Sequence, residues 1–84
     1  MYQYEIVSDA LAQVGGLPVE VAVDYAELIA FLELTPWEGP PYSDDIPDGE
    51  MRRMVFGPDG AGLAVYVVLE QERRVVVVHV AWVR

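Results

Sequence analysis

The stretch from 51 to 84 constrains the fold most. It holds three apolar runs rich in β-branched residues: MRRMVF at 51–56, LAVYVVL at 63–69 and RVVVVHVAWV at 74–83. Only GPDGAG separates the first two, and EQER the last two. A parallel crossover needs a dozen or more residues, so links this short force an antiparallel meander. The last run is apolar at both parities. Val75, Val77, His79, Ala81 and Val83 alternate with Val76, Val78, Val80 and Trp82. Such a strand belongs inside a sheet, or has one face covered by a partner.

Upstream, Tyr2, Tyr4 and Ile6 alternate with polar residues, which predicts a half-buried strand. Ser8 or Asp9 offers an N-cap for a short helix through Ala10, Leu11 and Val14. Gly15-Gly16 is expected to end it with glycine in the left-handed position. Pro18 suits the first turn of a second helix, in which Val21, Tyr25, Leu28 and Leu32 recur at helical spacing. Glu20, Asp24 and Glu27 fall on another face, and Thr35-Pro36 stops the helix. The two helices form a hairpin, and the segment PWEGPPYSDDIPDGE (36–50) is a long surface loop. The order is strand, helix, helix, strand, strand, strand. The helices have little but the sheet to bury their apolar stripe against, so the chain is one α+β two-layer sandwich over residues 1–84.

Charge divides the chain. Residues 1–50 hold eleven acids and no Lys or Arg; residues 51–84 hold five arginines against Asp59, Glu70 and Glu72. The net charge of −9 repels phosphate at long range, which leaves nucleic-acid contact to the C-terminal arginines. No cysteine is present, so neither a disulfide nor a thiolate metal site can form. No apolar stretch reaches the length of about 20 residues that a membrane span requires. The N-terminus lacks a secretory pattern, so the expected compartment is the cytoplasm.

Few residues can carry chemistry. His79, the one histidine, is either a partly buried, hydrogen-bonded strand residue or a general acid or base on an open sheet face. Arg52 and Arg53 are neighbours in a strand and point to opposite faces. They either pair with acids such as Glu20, Asp24 or Glu27, or clamp a phosphate with the planar guanidinium. Glu50 opens the same strand, as a solvated carboxylate or as a base. In the acidic loop, Asp44, Asp48 and Gly49 fit three positions of a calcium loop, but Ile46 stands where a ligand is needed. One histidine without cysteine argues against zinc, and no cofactor is expected.

The order of elements, with YEIVSDALAQVGGLP, the helical hairpin ending at LELTP, MRRMVFG, GLAVYVVLE and RRVVVVHVAWVR, resembles the RelE/ParE superfamily of bacterial toxin–antitoxin systems. The resemblance implies a helical hairpin on a small antiparallel sheet. It also implies an antitoxin or similar peptide as partner, and either the ribosome and its mRNA or DNA gyrase as target. For a metal-independent endoribonuclease it implies Arg52, Arg53 and Arg84 at phosphate, with Glu50 or His79 moving protons. The chain departs from the pattern in three places. Leu63 stands where the middle meander strand usually opens with arginine. Ala81-Trp82-Val83-Arg84 replaces a basic end. His79 lies inside the last strand rather than beyond it. A RelE-fold protein-binding module without catalysis is the alternative these departures raise.

Overall fold

A computed structural model describes residues 1–83. Strand β1 (Gln3–Ile6) leads into helix α1 (Ser8–Gly15) and helix α2 (Val19–Leu34). The loop of residues 36–50 follows, then strands β2 (Met51–Phe56), β3 (Gly62–Leu69) and β4 (Arg74–Trp82). The sheet order is β1-β4-β3-β2. The meander β2-β3-β4 is antiparallel, as its short links require. β1 adds a parallel edge strand beside β4, with Tyr4 opposite Val75 and Ile6 opposite Val77. β4 is thus interior, which explains its two apolar parities.

One sheet face carries the helices: α1 lies against β4, and α2 against β2. Val21, Tyr25, Leu28 and Leu32 of α2 pack on Ala64, Tyr66 and Val68 of β3 and on Val75, Val77 and Val80 of β4. The Tyr4 and Tyr25 hydroxyls are hydrogen-bonded at 2.9 Å, and the Tyr25 ring meets Phe56 edge-on at 5.6 Å. That trio ties β1, α2 and β2 together. Burial pushes the Tyr25 hydroxyl well above its usual pKa, so it stays a neutral member of the core.

Both expected caps of α1 differ in the structure. Neither Ser8 nor Asp9 caps the helix, which begins at Ser8 after Val7 in extended geometry. The Val7 amide donates to the Val77 carbonyl, so the sheet rather than a side-chain cap fixes the helix entry. At the other end Gly16 keeps a right-handed φ of −90°. The left-handed turns fall elsewhere, at Gly57, Asp59 and Gly60 in the β2–β3 link and at Arg73 before β4.

The alternation of β4 is broken once. Val65 pairs with His79 while Tyr66 pairs with Val77, which leaves Val78 as the extra residue of a bulge. Val75 and Val77 face the helices, and beyond the bulge Val80 does so as well. Strict alternation placed Val80 on the opposite face from Val75; the bulge reverses the assignment of every residue after it.

The loop of residues 36–50 is tied to the sheet. The Tyr42 amide donates to the Met51 carbonyl, and the Arg53 amide to the Pro40 carbonyl. Pro40-Pro41 therefore runs along the outer edge of β2 at Met51–Arg53 and closes that half of it to strand addition. The Tyr66 hydroxyl donates to the Pro36 carbonyl at 2.6 Å, and burial pushes its pKa up to about 12. A Cβ on Gly39 would collide with that hydroxyl and with the Arg53 carbonyl. Gly39→Ala is therefore expected to destabilise the domain by about 2 kcal/mol, through a shifted loop or a displaced Tyr66. Urea unfolding against the parent chain checks this.

Candidate functional site

The sheet face away from the helices carries Met51, Arg53 and Val55 of β2, Leu63, Val65 and Val67 of β3, and His79 and Ala81 of β4. Their positions follow from the register, which sets Arg53 opposite Val65 and Val65 opposite His79. Arg53 and His79 thus stand on one row with Val65 between them. At about 4.8 Å per strand their backbones are about 10 Å apart. Val65 is buried outside the helical core. Met51 and Val55 are exposed. Among the described residues this is an apolar surface with one cation and one imidazole.

The five arginines have different fates. Arg52 faces the helix side and is buried. Its guanidinium donates to the carbonyls of Gly39, Pro47 and Gly49, each at 3.1 Å, and lies over the Trp37 ring at 4.8 Å. The expected pairing with Glu20, Asp24 or Glu27 does not occur; backbone oxygens of the loop take the place of a carboxylate. Arg73 joins Glu70 and covers the Tyr2 ring. Arg74 holds Glu5 through two bonds of 2.6 Å and also reaches Glu72. The arginines flanking the valine run are thus neutralised by acids. Among the described residues, Arg53 is the one arginine with no side-chain hydrogen bond or ion pair. Arg84 lies outside the described residues.

His79 is exposed rather than partly buried, because the bulge turns it outward. Its anchor is Gln13 of α1, which the sequence reading passed over. β1 stops opposite Val77, so β4 has an unpartnered edge beyond it. There the Val80 amide donates to Gln13 Oε1 at 2.7 Å. The other end of the amide, Nε2, lies 3.2 Å from His79 Nδ1. Since Oε1 is already accepting, Nε2 donates, and Nδ1 must accept. The neutral ring then carries its proton on Nε2. In that tautomer His79 offers a hydrogen-bond donor to the open face, and to act as a base it must first release Gln13. Glu50 is three residues along β2 from Arg53, roughly 10 Å by strand rise, and its side chain is exposed at the rim of a recess of about 390 Å³ that includes Tyr42, Ile46 and Met51. The structure therefore brings Arg53 and His79 to one row and leaves Arg52 and Glu50 elsewhere. Leu63 is on the open face between Val55 and Ala81. Among the described residues no three His, Asp or Glu side chains converge as metal ligands.

The end of the sheet beside this face is locked by charge. Glu70 accepts from the Tyr2 hydroxyl, the Trp37 indole and Arg73. Those bonds, the Tyr2 bond first, hold its carboxyl below the usual pKa. Arg74 does the same for Glu5. Each carboxylate therefore stabilises the fold above its unfolded pKa, near 4.5, and that contribution is lost as pH falls through the lower folded value. The double variant Glu5→Gln/Glu70→Gln is expected to show a flatter decline in melting temperature below about pH 4.5 than the parent. Melting scans from neutral pH downward check this, and the remaining acids act equally in both chains.

No model of a known protein family matches the chain, and no curated protein matches its sequence. Solved structures do match its fold. The isolated RelE toxin of E. coli is similar with a TM-score of 0.81 at 14% identity, over 100% of this chain and 86% of that one. A chain of the intact E. coli RelBE toxin–antitoxin complex gives 0.81 at 15% identity, over 100% and 99%. The archaeal RelE–RelB complex of Pyrococcus horikoshii gives 0.67 at 13% identity, over 96% and 93%. The chain has the RelE fold, in the order read from its sequence. No helix among the described residues is long and apolar enough to cross a membrane.

Proposed function

We propose that this chain is the toxin-like member of a toxin–antitoxin pair, held by an antitoxin-like protein and acting through its open sheet face. The observation that carries the reading is the full-length similarity to RelE, both isolated and in complexes with RelB. The position of Arg53 supports it: one unpaired guanidinium projects from an apolar sheet surface in a chain whose other described arginines are engaged. A guanidinium there is suited to bind phosphate and to stabilise charge on a phosphorane.

The finer reading is a ribosome-dependent mRNA endonuclease that needs no metal, with Arg53 at the phosphate and His79 beside it. A second reading, a RelE-fold binding module without catalysis, is favoured by Leu63 and by the hydrogen bond that fixes His79 as a donor. One experiment separates the two. The chain is expressed from an inducible promoter in a bacterial host, growth is followed, and the 5′ ends of mRNA are mapped, with Arg53→Ala alongside. New ends within reading frames that vanish in the variant support cleavage. Arrest without new ends assigns the toxin another target, and neither arrest nor ends supports the binding module.

A further inference from the structure

A second surface is built differently from the open face. α2 and β2 leave between them a groove of about 550 Å³, lined by Asp24, Glu27 and Phe31 from the helix and by Met54, Val55 and Pro58 from the strand and its following turn. Its floor is apolar and not fully covered: Phe31 is 43% exposed and Met54 is half-buried, while Val55 borders the groove from β2 with its side chain on the open face.

Three of the four charges of α2 lean toward this groove, and the fourth, Glu33, lies on the far flank. At 3.6 residues per turn, Glu20, Asp24 and Glu27 fall within about 60° of arc, on the flank of the buried stripe that faces β2. The outermost face, Val19, Val23, Ala26 and Ala30, carries no charge, and α2 contains no basic residue. None of the described arginines lines the groove. The acids are thus unneutralised beside exposed apolar surface.

We propose that this groove docks a basic amphipathic helix of a partner protein, with apolar side chains on Phe31 and Met54 and Lys or Arg over Asp24 and Glu27. This rests on the reading that the chain is held by a protein partner, and it gives that partner's chemistry. Charge selects the occupant. A second copy of this chain would bring −9 against −9, and an acidic segment would meet the same repulsion. A basic helix gains attraction at both carboxylates and covers the apolar floor.

The probe is a helical peptide of about 18 residues, roughly as long as α2, with leucine along one face and lysine on its flanks. A matched peptide has glutamate for lysine. The lysine peptide is expected to bind with micromolar affinity that weakens with salt, and to shift amide resonances of Leu28, Phe31, Val55 and Phe56. The glutamate peptide is expected not to bind. Asp24→Lys/Glu27→Lys, whose folding is checked by its melting curve, should weaken the lysine peptide about tenfold or more and admit the glutamate peptide. Equal binding of both peptides, shifts confined to other surfaces, or affinity unmoved by the charge reversal would overturn the proposal. So would a dimer of the free chain that Phe31→Glu dissolves, since the occupant would then be a second copy. Growth arrest is read separately. If the parent chain does not arrest growth, the toxin reading fails while the docking result stands. If the charge-reversed chain arrests growth but binds the lysine peptide as the parent does, the docking proposal alone fails.

Discussion

Arg52→Ala is expected to lower the stability of this domain by about 3 kcal/mol, although the residue is charged and lies at the start of a strand. The argument runs through the loop rather than the strand. Segment 36–50 contains four prolines and two glycines and makes few bonds of its own. Arg52 joins three separate points of it, the carbonyls of Gly39, Pro47 and Gly49, and stacks on Trp37. Alanine would leave those oxygens without the donors they now have and leave a void under Trp37. For a domain of this size, 3 kcal/mol corresponds to a fall in melting temperature of roughly 12–24 °C. Lysine keeps the charge but presents one compact ammonium, which cannot donate to three divergent carbonyls together. Arg52→Lys should therefore recover less than half of the loss. Thermal unfolding of the three chains checks both statements. A melting temperature for Arg52→Ala within a few degrees of the parent would mean that the loop holds itself.

The same neighbourhood explains what could and could not be read from the residues. Strand periodicity and short links fixed the meander, and helical spacing picked out Val21, Tyr25, Leu28 and Leu32, all of which are buried. Those signals are local, and each is repeated several times. The bulge at Val78 has no such signal: a run of valines looks alike in either register, and only pairing with β3 decides where the extra residue falls. That one residue sets which way His79 points. Arg52 and Arg53 are equivalent in the sequence. Parity separates their faces, but the partners of Arg52 are backbone oxygens of a loop whose path no periodicity describes. Gln13 was missed for a related reason. Its task exists only because β1 ends opposite Val77 and leaves the Val80 amide exposed at the sheet edge. The parallel pairing of β1 with β4 is likewise a choice between two edges, made by the whole sheet.

Arg53→Ala is expected to do the reverse of Arg52→Ala: leave stability within about 0.5 kcal/mol of the parent and abolish growth arrest. The Arg53 side chain makes no hydrogen bond or ion pair among the described residues, so its loss removes only the packing of its stem. Its backbone bond to Pro40 survives the substitution. The functional loss follows from scarcity. Arg52 is buried, and Arg73 and Arg74 are bound to acids, so among the described residues Arg53 supplies the open face with its cation. A donor aimed at developing phosphorane charge contributes about 3 kcal/mol, or a factor of roughly 10² to 10³ in rate. In an acidic protein no surrounding positive field compensates for its loss. His79→Ala should cost less than Arg53→Ala, because in the tautomer set by Gln13 the ring donates a neutral hydrogen bond rather than taking a proton. Gln13→Ala frees Nδ1 and exposes the Val80 amide. If His79 serves as a base, that change raises activity while lowering stability; if it serves as a donor, both fall. Growth, mRNA 5′ ends and melting temperature, measured together on the three variants, distinguish these outcomes. Arrest that persists in a folded Arg53→Ala chain would remove the open face from the mechanism altogether.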